Sequence, residues 1–321
     1  MQIRFATANL FNYLAPPNAF YEFNNIYQVT EWNKKQQWLD RKLSRLDADV
    51  IGFQEIFSVN ELEVQLRKLG YQYFAVVDHP KVSDEYIYTH PVVGIASRYE
   101  LTDVAAIQVT ELNAEQPFSF YRKPLRATIN HPMLGKLDIY VVHFKSQRPT
   151  LENKEENSSV FEAWQQETYG NWLSTVQRGF EATLLHRAIM NRKRSTHHPV
   201  VLMGDFNQFL DNQEFACLRS THRFRQPESY LPLLPYQLID SWELYCHSGQ
   251  AQRKPTHYTG ASGQVLDYIL LSSDFGLETD HNIAQVSDFH VEDQHLVNPD
   301  FELDKFASDH AFVCVTLELR C

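Results

Sequence analysis

Only four cysteines occur in the 321 residues, at positions 217, 246, 314 and 321, and no two form a CxxC pair. No thiolate zinc site is available, and the expectation is free thiols in a reducing compartment. No apolar run approaches the roughly 18 residues that a membrane span needs. The start, MQIRFATANL, lacks the basic residues, long apolar core and small-residue cleavage site of a secretory leader, and reads as a strand. The expected location is the cytoplasm, or outside the cell if a leader has been trimmed from this sequence. Positive charge is also short: 29 Lys and Arg against 40 Asp and Glu give a net charge of −11. That argues against a broad basic face for duplex DNA. A cleft holding a divalent cation would still supply positive charge locally. There is no GxSxG nucleophile elbow and no glycine-rich phosphate loop. Internal repeats, low-complexity tracts and linkers are missing too.

What is present is an ordinary globular composition, 43% hydrophobic and 21% charged, with 13% aromatics for a large core and a substrate surface. The length allows two domains, but a single domain over residues 1–321 is the simplest organisation. Ile3 to Leu10, Val50 to Phe53, Tyr71 to Val77, Pro91 to Ser97, Lys136 to Phe144, Val200 to Met203 and the LDYILL run read as strands. Glu100 to Val109 and Phe118 to Ile129 are weaker strands, the second broken by Pro124. Glu31 to Leu46, Asn60 to Leu69 and Thr175 to Arg194 keep helical spacing, the last with Phe180, Leu184, Leu185 and Ile189 on one side. Phe11 to Thr30, Lys145 to Ser174 and Asp211 to Gly263 read as long irregular excursions. Strands alternate with helices early and follow one another later, which predicts packed mixed sheets with helices outside.

The chemistry concentrates at strand ends. Asn9, Glu55, His143, Asp205 and Asn207 fall at the C-terminal ends of apolar strands, while Asp267, Asp309 and His310 fall at strand starts. If the last two strands run antiparallel to the others, all of these groups share one rim. Asp205 and Asn207, in GDFN, are two apart and so point the same way on extended chain. Four carboxylates and two carboxamides suit a hard cation, Mg²⁺ or Mn²⁺, better than zinc. Two imidazoles can hydrogen-bond a phosphate or move a proton near neutral pH. The set fits metal-assisted attack of water on a phosphate ester. Plainer readings hold for other groups. Asp47, Asp49 and Asp211 are turn or cap residues, and His197 and His198 are loop residues. Glu85, Glu115 and the Glu152 to Glu156 cluster are solvated. The basic run Arg192 to Arg194 complements a helix C-terminus.

With TANLFNY, DADVIGFQE, VVHFKS, VVLMGDFN, LDYILL and SDHAFV in this order across the chain, the sequence resembles the endonuclease/exonuclease/phosphatase superfamily, the DNase I-like group. The resemblance implies an α/β four-layer sandwich of two mixed sheets flanked by helices. It makes Glu55 the principal Mg²⁺ ligand, helped by Asn9 and Asp309. Asp205 would orient or deprotonate water, Asn207 would hold a phosphate oxygen, and His310, fixed by Asp267, would face the scissile phosphate. His143 would bind phosphate or protonate the leaving oxygen. Arg122, in FYRKPLRA, is similar to a backbone-phosphate arginine of DNase-like members. Lys145 is a further phosphate candidate, beside its plainer reading as a solvated loop lysine. The expected substrate is nucleic acid, cut by a DNase-like nuclease. The alternatives are a small phosphodiester or lipid head group of the inositol phosphate or sphingomyelin type, and a non-catalytic binding protein on the same fold.

Overall fold

A strand whose apolar residues alternate carries two faces, and one sheet cannot bury both. Here two sheets and a set of helices solve that problem. The computed structural model describes residues 1–108, 119–151, 159–246, 252–276 and 282–320. In chain order the sandwich strands are β1 (Gln2–Tyr13), β2 (Val50–Ile56), β3 (Tyr73–Val76), β4 (Val92–Ser97), β5 (Leu101–Ala106), β6 (Leu125–His131), β7 (Gly135–His143), β8 (Val200–Asp205), β9 (Leu238–Asp240), β10 (Asp267–Ser272), β11 (Ala284–Glu292) and β12 (Phe312–Leu319). They form two six-stranded sheets, ordered β11-β12-β1-β2-β4-β3 and β9-β10-β8-β7-β6-β5.

Each sheet is built around one parallel pair, β1 with β2 and β7 with β8, and its other pairings are antiparallel. A parallel pair needs a long crossover, normally a helix. Helix α1 (Val29–Leu46) carries the first crossover and α3 (Val160–Thr196) the second, while α2 (Val59–Lys68) lies between β2 and β3. Ile3, Phe5, Ile139, Val141, Val201, Met203, Ile269, Leu271, Val313 and Val315 face one another in the inter-sheet core. Burying one such aliphatic side chain is worth about 1.5–3 kcal/mol. The alternate residues face outward. Ala6, Ala8, Ile51 and Phe53 meet Trp38, Leu39 and Leu43 of α1. Tyr140, Val142, Val200 and Leu202 meet Leu185 and Ile189 of α3. The expected four-layer arrangement is therefore present.

Some expectations are corrected. α3 has 37 residues, starting at Val160 rather than Thr175, and is about 55 Å long. Ser159 and Glu162 close a capping box at its start. Its first turns point Phe161, Trp164, Tyr169 and Trp172 to solvent, so no amphipathic stripe announces them. Phe180, expected on the buried side, is exposed, and Arg178, Glu181 and Ala182 are buried beside Leu184 and Leu185. The irregular section after Asp211 contributes the edge strand β9 and a hairpin of His257–Thr259 with Ser262–Gln264. Ala19–Phe20, inside the expected Phe11 to Thr30 loop, joins Ile87–His90 and Lys81–Ser83 in a three-stranded sheet. Glu115 and Glu152 to Glu156 lie outside the described residues. The acidic turns keep their plain reading, Asp47 pairing with Arg4 and Arg98, but the basic helix end is no solvated cap: Arg192 pairs with the buried Asp138, and the buried Lys193 with Asp274.

Candidate active site

Alternation decides which polar side chains enter the space between the sheets. Asn9 continues the inward series of Ile3 and Phe5, and His143 that of Ile139 and Val141. Asp205 continues Val201 and Met203, and Asp267 begins the series of Ile269 and Leu271. Pairing then sets them side by side. His143 is opposite Asp205 in the parallel pair, and Asp205 is opposite Asp267 in the antiparallel one. Gly204 lets β8 lie this close, because a Cβ there would come within 2.1 Å of the Val142 carbonyl oxygen. Asp309 and His310 lead into β12, which runs antiparallel to β1, so all eight expected site residues of both sheets meet on one rim.

Glu55 reaches that rim by breaking the alternation. Its φ is +61°, and the β2 register shifts between Phe53 and Ile56. Phe11, Asn12 and Asn207 are also left-handed, at +48°, +57° and +56°. Such conformations cost on the order of 1–3 kcal/mol each for non-glycine residues and cluster at functional sites. They are repaid here in directed contacts. The Asn12 N–H donates to Glu55 Oε2 at 2.9 Å. Asn9 Nδ2 donates to Asp205 Oδ2 at 3.1 Å and, at 3.5 Å, to Glu55 Oε1, so one carboxamide bridges the two sheets. Its own oxygen accepts the Phe11 N–H at 3.0 Å. The Asn207 N–H donates to Asp205 Oδ1 at 2.8 Å, and its Nδ2 donates to the Phe144 carbonyl at 3.1 Å and to Asp205 Oδ2 at 3.2 Å.

The two imidazoles have opposite electrostatics. His310 Nδ1 lies 2.8 Å from Asp267 Oδ2, and its Nε2 lies 3.9 Å from Asp205 Oδ2. Burial works against its charge, but Asp267 and Asp205 outweigh burial and hold its pKa well above the usual imidazole value. His143 Nε2 lies 3.3 Å from Asp205 Oδ2. Burial, with Arg122 and the charged His310 nearby, drives its pKa well below the usual value. Burial, together with Asp267 and opposed by His310, pushes the Asp205 carboxyl up to about 7. A carboxylate with a pKa in that range can take a proton near neutrality.

Glu55, His143, Asp205, Asn207, Asp309 and His310 line a cleft of about 710 Å³, with Asn9 and Asp267 behind them. One lip, next to His143, is basic. Arg122 stacks over the Tyr121 ring at 5.1 Å, Lys145 over the same ring at 5.4 Å, and Arg148 over Tyr21 at 5.9 Å. Among the described residues none of the three pairs with a carboxylate side chain, and the buried Arg122 Nε has no partner. Lys145 is not a solvated loop lysine. It is 6% exposed, and its Nζ donates to the Ser146 and Arg148 carbonyls. Burial and the cations around it push its pKa down to about 8. Two buried residues of α3 fix this lip. Glu181 accepts the backbone N–H groups of Tyr121 and Lys145, both at 2.8 Å, and Arg178 donates to the Lys145 and Ser146 carbonyls. Sequence reasoning also missed His257, which lines the cleft, bridges to His310 by its backbone, and places Nε2 3.9 Å from Asp309 Oδ2. Its stretch shows no periodicity, so only the fold brings it in.

The donor set fits a hard divalent cation. Glu55 and Asp309 both line the cleft, and the buried Asp309 Oδ1 has no hydrogen-bond partner, leaving an oxygen that a cation would satisfy. His257, Asp309 and His310 also place one ligand atom each within 4.8 Å of one another.

A family model described as Endonuclease/Exonuclease/phosphatase family matches residues 7–310. The chain belongs to that family. Its members are hydrolases acting on phosphoester bonds, generally with a divalent metal. No curated protein matches the chain by sequence. Solved structures in the family's fold do match. The human Nocturnin catalytic domain with bound sulfate is 16% identical, with a TM-score of 0.63 over 99% of this chain and 95% of that one. A humanised D. rerio TDP2 is 14% identical, with a TM-score of 0.57 over 99% of each chain. An AP endonuclease from Archaeoglobus fulgidus is 14% identical, with a TM-score of 0.55 over 98% of each. At these identities the likeness is one of fold. Among the described residues no helix is long and apolar enough to cross a membrane.

Proposed function

We propose that this chain, acting as one domain over residues 1–321, is a divalent-metal-dependent phosphodiesterase of the DNase-like nuclease type. The observation that carries the reading is the meeting of Glu55 and Asp309 from one sheet with Asp205, Asp267 and His143 from the other, beneath a basic lip. Glu55 and Asp309, with Asn9 beside them, would hold Mg²⁺ or Mn²⁺, which supplies positive charge to a phosphate oxygen and to developing negative charge. Asp205 takes the proton of the attacking water, its raised pKa matching that task. His310, kept charged by Asp267, stabilises the charge growing on the phosphate. His143 is neutral at pH 7, so its work is to hold Asp205 or a phosphate oxygen rather than to donate a proton as an imidazolium. Asn207 orients Asp205 and faces the same phosphate.

Arg122, Lys145 and Arg148 support a polyanionic substrate, because an acidic chain here keeps three cations without carboxylate partners among the described residues. A structure of D. rerio TDP2 holds a single-stranded DNA product, which is in line with this reading. A second reading, a phosphodiester lipid head group, is favoured by the exposed Trp164 and Trp172 of α3, since Gly170 of that helix packs on Thr150 at the cleft. Such rings suit the interface of a membrane. The test offers plasmid, single-stranded DNA, RNA, bis(p-nitrophenyl) phosphate and sphingomyelin vesicles, each with Mg²⁺, Mn²⁺ or EDTA. Metal-dependent cutting of nucleic acid is expected, with no activity in EDTA. Arg148→Gln should lower kcat/KM on single-stranded DNA by about tenfold while sparing bis(p-nitrophenyl) phosphate. Hydrolysis of sphingomyelin alone would transfer the assignment to the lipid. Undiminished hydrolysis in EDTA would remove the metal from it.

A further inference from the structure

Helix α1 presents two lysines to the core, Lys35 and Lys42, on the same face as Trp32, Trp38, Leu39 and Leu43. Lys42 is accounted for, because its Nζ lies 2.7 Å from Glu292 Oε1. Lys35 is not. It is 2% exposed, and among the described residues its Nζ has no hydrogen-bond partner. The ammonium sits against the rings of Tyr27 at 5.5 Å and Phe11 at 5.7 Å. A buried ammonium without a partner carries a desolvation cost of several kcal/mol, and an apolar residue at this place in α1 would avoid it. Something must favour the charge. Burial pushes its pKa down to about 8, while Asp309 and then Glu55 act to keep it charged. Phe11, Glu55 and Asp309 all line the cleft and Lys35 does not. Lys35 thus packs its ammonium on Phe11, a ring that lines the cleft with Glu55 and Asp309, without itself reaching the cleft.

We propose that Lys35 is a built-in counter-cation of the Glu55–Asp309 site: its ammonium offsets the two carboxylates when no divalent ion is bound and weakens the affinity of the ion that takes over. The proposal rests on the cation site described above. It explains an unpaired buried charge that packing leaves unexplained. It also makes the free site tolerable, since two carboxylates on one rim with neither proton nor cation repel each other. An ion arriving at the site meets a like charge already in place, so it is held less tightly and released more readily.

The test is Mn²⁺ titration of the whole chain by calorimetry, comparing the wild type with Lys35→Met, Lys35→Gln and Lys35→Arg. Methionine keeps the length and apolar contacts of the stem without the charge. The Met and Gln variants should bind Mn²⁺ about tenfold more tightly, and the Arg variant should match the wild type. Melting in EDTA and in saturating Mn²⁺ gives a second readout, in which the metal-induced rise in Tm should be larger for Met and Gln. Neutral variants that unfold in EDTA but recover in Mn²⁺ would also support the proposal. Affinities within twofold of wild type, an Arg variant that behaves like Met, or neutral variants that stay unfolded in saturating Mn²⁺ would overturn it. A wild-type chain that binds no Mn²⁺ would instead overturn the cation site itself.

Discussion

Asp309, at the rim of the first sheet, leaves 42% of its side chain exposed, whereas Asp205 and Asp267, at the rim of the second, are each 1% exposed. The residue type and the position at a strand end are the same, and burial separates their chemistry. An open carboxylate can take a hydrated cation without being stripped of water. A closed one must share protons or charge with a neighbour. On the proposed reading the first sheet offers the open oxygen ligand, and the buried carboxylates of the second each meet an imidazole, His143 from their own sheet and His310 from across the gap. Asn9, bridging Glu55 and Asp205, and His310, on Asp267, are where the two halves touch.

The sharpest way to break this division is Asp205→Asn. It should lower kcat on bis(p-nitrophenyl) phosphate by about a thousandfold or more and leave Mn²⁺ affinity within about threefold. If Mn²⁺ binding vanished with the turnover, the two rims would be one site. Glu55→Gln should do the reverse. A Mn²⁺ Kd raised by about 10–100-fold, with part of the activity restored at high metal, would mark the open rim. Unchanged Mn²⁺ binding would move the ligands elsewhere.

A smaller effect extends the comparison to stability. Burial holds the pKa of His186 down at about 4, so this ring is neutral when folded and gains a proton on unfolding below the ordinary imidazole value. A depressed folded pKa contributes stability that is complete above about 6.5 and lost as pH falls toward 4. His310, with its raised pKa, has the opposite sign. His186→Gln should flatten the fall in unfolding free energy, from urea titration, between pH 6.5 and 4.5 by about 1 kcal/mol. An unchanged slope would mean that this ring is solvated.

Much of the site was legible because the period-two pattern of the core continues into it. Phe5 to Asn9, Val141 to His143 and Met203 to Asp205 each keep the inward parity that the buried residues establish. The parts that were not legible break a period or have none. Glu55 was expected from its place at a strand end, but its route to the rim, through its own left-handed backbone, is foretold by no alternation. His257 lies on a hairpin in an aperiodic stretch. The first half of α3 hides its helical nature because its aromatic residues face water instead of a core. Lys145 looks like a loop lysine until Tyr121 and the surrounding carbonyls enclose it.

The clamp of Glu181 and Arg178 has one further consequence. The basic lip hangs from a helix, while the reacting rim belongs to the strands. Exchanges at residues 148–151 would therefore reshape the lip, while Gln147, whose Nε2 donates to the Asn207 carbonyl, keeps the segment tied to the strand ends. The scaffold separates inheritance of chemistry from divergence of taste, so descendants of one fold can divide many phosphate esters among them.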